Sequence, residues 1–154
     1  QCLTDLIEKT DLACSTAFMN KIGYETMVAR GKELGLKGVI FAGSQTKTTT
    51  NDMALFLTNL FQSKVAPSAG GGRILSSMQN TRLRDAIPAG IAKGTVSNLA
   101  GESGKVHNDG AVVFSPKGVY ALAIQTEGAS RADIAELTKK VEALHQVSPP
   151  KVKK

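Results

Sequence analysis

The sequence predicts an α+β fold: a helical part, then an antiparallel sheet, then a last helix packed back on that sheet. Three observations carry this. Apolar residues recur every three to four positions through the first half of the chain. After Pro88 they shift to short β-rich runs separated by turn residues, and from Ser130 the helical spacing returns. With 154 residues, 42% of them hydrophobic, the chain is long enough to bury one ordinary core. We expect one domain over residues 1–148, with the helical part at about 2–84 and the sheet and C-terminal helix at about 95–147. A basic tail, 149–154, follows.

In chain order, residues 2–8 read as the end of a helix, with Leu3, Leu6 and Ile7 on one face. Thr10-Asp11 supplies the N-cap of a second helix, apolar at Leu12, Phe18, Met19 and Ile22 and stopped by Gly23. A third runs from about Tyr24 to Leu34 and closes on Gly35, with Met27, Val28 and Leu34 expected to face inward. Gly43 to Thr50 reads as a polar loop. Thr50-Asn51-Asp52 caps an amphipathic helix built on Met53, Leu55, Phe56, Leu57, Leu60 and Phe61. Ala66 to Gly72, rich in Gly, Ser and Pro, is expected to be a flexible connector, followed by a helix from Ile74 to Leu83. The strands fall at Thr95 to Gly101, Gly110 to Phe114 and Val119 to Thr126, with Ser115-Pro116-Lys117-Gly118 as a hairpin turn. Ser130-Arg131-Ala132-Asp133 caps the final helix, whose Ile134, Leu137, Val141 and Leu144 form one stripe. No internal repeat is visible.

Composition narrows the function classes. No run approaches the roughly 18 apolar residues of a membrane span. The start at Gln1-Cys2 carries neither an initiator Met nor a signal peptide, so we expect it to lie inside a longer or processed product. A net charge of +6 permits binding to an anionic envelope, but only Lys151 to Lys154 cluster. Aromatic residues at 5% and the absence of Trp leave few stacking platforms, which disfavours nucleic acid as a partner. Two cysteines and two distant histidines are too few for a metal centre, and no cofactor motif is present. His107 reads as a turn-stabilising residue and His145 as a solvated or dipole-facing residue of the last helix.

The most specific stretch runs from Arg84-Asp85-Ala86-Ile87-Pro88-Ala89-Gly90, through Gly94-Thr95-Val96-Ser97-Asn98-Leu99-Ala100-Gly101, to His107-Asn108-Asp109-Gly110-Ala111-Val112-Val113. It resembles the closing segment of the class A β-lactamase and penicillin-binding serine hydrolase superfamily. There an R-x-x-I-P-x-G turn precedes a strand carrying K-T-G, and the next strand opens on H/N-D-x-x-I-V. The Thr48 to Phe61 helix is similar to the T-T-x-x-D-M-A-x-L-L-x-x-L helix of the same group. The resemblance implies a β-lactamase/transpeptidase-like fold with its N-terminal portion missing.

In that superfamily the serine of S-x-x-K attacks an acyl carbonyl and its lysine helps remove the proton. S-D-N bridges two helices, and the K-T-G lysine draws in the substrate carboxylate. By resemblance S-D-N falls on Thr10-Asp11-Leu12, where Leu12 cannot make the hydrogen bonds of an asparagine; read from the residues alone, Thr10 and Asp11 cap a helix. K-T-G falls on Leu99-Ala100-Gly101, which keeps the glycine and loses both polar side chains. Lys93-Gly94-Thr95 has related letters in the wrong order. S-x-x-K occurs once, at Ser44-Gln45-Thr46-Lys47, in a loop rather than at a helix start, and so reads as a chance match. The interval Leu36 to Thr48, where a β-lactamase needs a carboxylate to activate water, holds no acid, and Glu33 on the preceding helix reads as solvated.

Cys2 and Cys14 flank the first helix junction; they are either bridged or two partly buried thiols. Extracytoplasmic relatives with a similar pair favour the bridge, which implies a secreted or cell-surface location. The expected function is a catalytically degenerate β-lactamase-like module, binding or structural and associated with the cell wall, silent toward acyl substrates on its own. The alternative is a serine hydrolase whose nucleophile lies in an N-terminal segment outside this chain. Expected partners are that complementary segment or a second copy completing the sheet, with cell-wall peptide or an anionic envelope as further candidates.

Overall fold

The computed structural model describes residues 1–42 and 45–145, so Ser44 of the S-x-x-K match and the basic tail lie outside the described residues. Three helices open the chain: α1 (Cys2–Lys9), α2 (Leu12–Ile22) and α3 (Tyr24–Glu33). A small hairpin follows, β1 (Ile40–Ala42) and β2 (Gln45–Lys47), then α4 (Thr50–Phe61), α5 (Ser68–Gln79) and the one-turn α6 (Ile87–Gly90). The main sheet is β3 (Thr95–Ser103), β4 (Val106–Ser115) and β5 (Gly118–Glu127), antiparallel in the order β3-β4-β5, and α7 (Arg131–His145) ends the described chain.

The register Val96↔Val113↔Tyr120 and Ser97↔Val112↔Ala121 assigns the two faces of the sheet. One face, with Val96, Ala111, Val113 and Ile124, packs on Ala86, Ile87 and Ile134 from α6 and α7. The other, with Val112 and Ala121, packs on Ile7, Leu57, Leu60 and Met78 from α1, α4 and α5. β4 is therefore covered on both sides, which explains the unbroken run of buried residues from Asp109 to Val113.

Helix α4 organises the helical side. Thr49 is its N-cap, accepting from Asp52 N at 3.1 Å, one residue earlier than the cap expected from sequence. The Asp52 carboxylate is buried and accepts from the backbone N–H groups of Lys37 and Gly38, and Asn59 Nδ2 donates to Leu34 O. Both ends of the α3–β1 connection are thus tied to α4. A Cβ on Gly38 would lie 2.7 Å from Thr49 Cγ2, so this tie requires glycine.

Three expectations are corrected. The Gly-rich stretch 66–72 is no free connector: Pro67 is the N-cap of α5, and Ser68 to Gly72 form its first turns. Gly71 is buried there, and a Cβ on it would lie 3.4 Å from Leu60 O, so small residues let α5 pass close to α4. The polar loop 43–50 is partly replaced by the β1–β2 hairpin. In α7, Leu137 and Leu144 are exposed, and the buried line is Ile134, Ala135, Thr138 and Glu142. That line is set by α6: a Cβ on Gly90 would lie 2.5 Å from both Ala135 O and Thr138 Cβ. Polar Glu142 is tolerated inside because Tyr120 Oη and Ser115 Oγ both donate to it.

Candidate functional site

β3, which carries the Leu99-Ala100-Gly101 triplet, is held on its α6–α7 face by a hydrogen-bond network. Asn98 and Asp109, diagonal neighbours on β3 and β4, are buried on the α6–α7 face. Asn98 Nδ2 donates to Asp109 Oδ1 at 3.1 Å and to Leu83 O at 2.9 Å, while Asn98 Oδ1 accepts from Thr81 Oγ1 and Arg84 Nη1. Arg84 also reaches Gln79 O at 2.8 Å and Val96 O at 3.0 Å, joining the end of α5 to β3. Ile87 N donates to Asp109 Oδ2 at 2.9 Å. Burial pushes the Asp109 carboxyl up to about 6 despite these donors, which pull the other way together with the nearby Arg84 charge. The R-x-x-I-P-x-G turn, Asn98 and the motif aspartate Asp109 are thus one polar knot between β3, β4 and α6. Sequence reading singled out these segments by resemblance but missed the roles of Thr81 and Asn98. The signal available was Asn98, a short polar residue on the strand face otherwise held by Val96 and Ala100.

Beside this knot lie the two triplets to which the resemblance assigns the family motifs. Leu99 points to the helical side and is 44% exposed; Ala100 is buried on the opposite face, and Gly101 has open space where a Cβ would stand. Thr10 is the left-handed C-cap of α1, and the Asp11 carboxylate accepts from Cys14 N at 2.9 Å as the N-cap of α2. Asp11 thus caps α2 as expected, whereas Thr10 closes α1 instead of joining the N-cap of α2. Leu12 is 75% exposed. The two triplets do not form a shared polar constellation: their only charged member, Asp11, is engaged by its own helix. Cys2 and Cys14 form a disulfide that ties α1 to the first turn of α2 beside this junction.

Leu99 opens into a groove of about 580 Å³ between α1–α5 and the β2 hairpin strand. Its walls include Ile22, Met27, Leu34, Phe56 and Ile74, with Lys47 and Arg30 among the few charged lining residues. Met27 and Leu34, expected to face a core, are half-buried and face this groove instead. α2 buries no residue and α3 only Gly31.

The remaining candidates are structural. Arg131 pairs with Asp85 at 3.0 Å and with Glu102, clamping the start of α7 to β3 and to the turn before α6. His107 Nδ1 is buried without a hydrogen-bond partner, 3.7 Å from Glu102 Oε2. The His145 ring lies 4.3 Å from that of Tyr120. Glu33 is paired with Arg30 on the surface. Among the described residues no group of three or more His, Cys, Asp or Glu is placed to hold a metal ion, and no helix is long and apolar enough to cross a membrane.

Comparison with known proteins places this geometry. The sequence profile of the "Beta-lactamase enzyme family" matches residues 1–148. Among solved structures, PBP-A superposes with a TM-score of 0.81 at 22% identity, over 92% of this chain and 59% of its own. A β-lactamase from Sphaerobacter thermophilus superposes at 0.86 with 14% identity, over 97% and 63% respectively. A class A β-lactamase representative from Bacteroides cellulosilyticus gives 0.78 at 17% identity, over 94% and 61%. The chain thus spans about three-fifths of the structures it resembles. No curated protein matches it in sequence.

Proposed function

The chain belongs to the beta-lactamase enzyme family, and from that premise we propose that it is a catalytically degenerate member serving as an extracytoplasmic binding or structural module at the cell wall. The observation that carries this is Leu99-Ala100 on β3. An aliphatic side chain and a buried methyl group stand where the superfamily motif places a lysine and a hydroxyl. Neither can draw in a carboxylate or polarise an acyl carbonyl. Leu12 at the second motif removes a further hydrogen-bonding side chain, and no acid lies between Leu36 and Thr48 to activate a deacylating water. The Cys2–Cys14 bridge supports the oxidising location. On this reading the edge of β5 is completed by a complementary segment of the fold, and the positive net charge favours an anionic envelope.

A second reading, a serine hydrolase whose nucleophile and lysine lie outside residues 1–154, rests on the span of three-fifths of the matched structures. One of these, a PBP-A variant, was captured as an acyl-enzyme complex with penicillin G. A single experiment separates the readings. The natural product that contains these residues is incubated with a fluorescent penicillin and with activated esters, then examined for covalent label by denaturing electrophoresis. No labelled band is expected. A labelled serine, Ser44 included, establishes the hydrolase reading instead.

A further inference from the structure

The end of the sheet next to Gly101 holds a charge cluster with one negative charge in excess. Arg131, at the start of α7, pairs with Asp85 at 3.0 Å and also with Glu102 on β3, so two carboxylates share one guanidinium. The register sets Glu102 opposite His107 on β4, and His107 opposite Thr126 on β5. His107 Nδ1 is shielded from solvent and has no hydrogen-bond partner among the described residues. Glu102 Oε2 lies 3.7 Å from it, just beyond hydrogen-bond range. Shielded polar atoms are nearly always bonded, so an idle ring nitrogen facing a carboxylate marks a contact that one proton completes.

We propose that His107 is a proton-operated latch: as an imidazolium it donates Nδ1–H to Glu102 and so ties the β3–β4 hairpin end to the Arg131–Asp85 clamp at the start of α7. The groups around the ring are Glu102 from β3, Arg131 from α7 and Asp85 from the turn before α6. On the β5 side stands uncharged Thr126, whose Oγ1 donates to His107 O at 2.7 Å. Asp109, two residues along β4 on the same face, is already engaged by Asn98 and by Ile87 N. Arg131 opposes a second cation at Glu102, but its charge is divided between two carboxylates, and a protonated His107 brings the four side chains to neutrality. Imidazole takes up its proton at about pH 6–7. The closed latch binds that proton and the open one does not, so it is closed below this range and released as pH rises through it. Its point of action adjoins Gly101, which makes the end of the triplet's strand responsive to pH. The inference goes beyond the proposed function and is independent of it, because no acyl chemistry enters. Penicillin labelling of the natural product would end the proposed function and leave the latch standing.

The test uses the natural product that contains these residues and reads amide hydrogen exchange at the hairpin end, Glu102 to His107, corrected for the intrinsic effect of pH. Protection at about pH 5.5 should exceed that at about pH 8 by about fivefold, the upper end of what a half-exposed ion pair supplies. His107→Gln and Glu102→Gln should each bring this ratio to about one. His145→Gln, whose parent ring lies against Tyr120, should leave it unchanged. Asp109 is common to all four proteins, so comparing their ratios removes its contribution. A merely structural histidine would not move a second readout: in NMR spectra at about pH 5.5 the His107 Nδ1 proton should be visible in the parent and lost to solvent exchange in Glu102→Gln. The proposal is overturned by a parent hairpin whose protection ignores pH, or by a ratio that survives in His107→Gln or in Glu102→Gln. A response that disappears with His145, or a parent Nδ1 proton that exchanges freely, overturns it as well.

Discussion

Asp109 illustrates how a residue kept for position also sets a pH response. Its carboxyl titrates near 3.8 when unfolded and is raised to about 6 in the fold, first by burial and against the pull of Asn98, Ile87, Gly110 and Arg84. Between those values the folded chain holds more protons than the unfolded one, so stability falls as pH rises through this window. The contribution is fully present below about pH 4 and lost above about pH 6. A shift of this size corresponds to roughly 3 kcal/mol. Urea melts of Asp109→Asn at several pH values should show this slope removed; an unchanged slope would assign it to another group. Gly90 makes a different kind of demand, since its missing Cβ is where α7 backbone and Thr138 sit. Gly90→Ala should cost about 1–3 kcal/mol by overpacking, read as a lowered urea midpoint at constant m. Ala89→Gly, one position away and exposed, serves as the control. Both sites lie in motifs that were recognisable in the sequence, but only as letters. Their physical reasons, a cross-strand knot and a helix contact, depend on residues far apart in the chain.

Elements were legible where local chemistry decides them. Asp11, Gly23, the Ser115 to Gly118 turn and the Ser130–Asp133 capping pair all act where the sequence indicates, because a cap or turn is settled by its own few residues. The errors fell where a neighbour decides. Glycines at 70–72 favour a loop in isolation, yet α4 lies close enough to make a small-residue helix the better solution. The stripe in α7 was misread because buried Glu142 and Thr138 look polar until Tyr120, Ser115 and the helix backbone supply their partners. The site divided in the same way. That Leu12, Leu99 and Ala100 are apolar could be read directly, whereas the groove beside Leu99 is lined from five helices as well as β2 and could not. The disulfide joins α1 to the first turn of α2 across a sequence separation of 12. Cys14→Ser should therefore lower stability by about 3 kcal/mol in the chain-entropy model. A smaller loss under oxidising conditions, equal to that under reduction, would indicate that the parent protein carries free thiols.

For the whole molecule, the question is what covers the sheet. β4 has strands on both sides and layers on both faces, but β5 ends the sheet in the described chain. Its sequence, Gly118 to Glu127, contains no proline and no lysine, and the strand pairs in unbroken register with β4 from Ser115↔Gly118 to Val106↔Glu127. It therefore lacks the inward charges, bulges and prolines by which proteins blunt a free edge. α4 and α7 pack against its faces, and among the described strands none pairs with its outer edge. We propose that this edge is paired in the natural product; the solved structures that share this fold have chain length beyond the part matched here. We expect every second amide of β5 to exchange rapidly with solvent deuterium in the isolated 154-residue chain, while the alternate amides, bonded to β4, stay protected. In the natural product, or on adding its complementary segment, the exposed set should become protected together and the melting temperature should rise. Self-pairing would give the same protection with a melting temperature that climbs with protein concentration, identifying a second copy as the partner. A chain whose β5 amides alternate in exchange under every one of these conditions, with a concentration-independent transition, would show that the edge stands unpaired and that the fold is complete as it is.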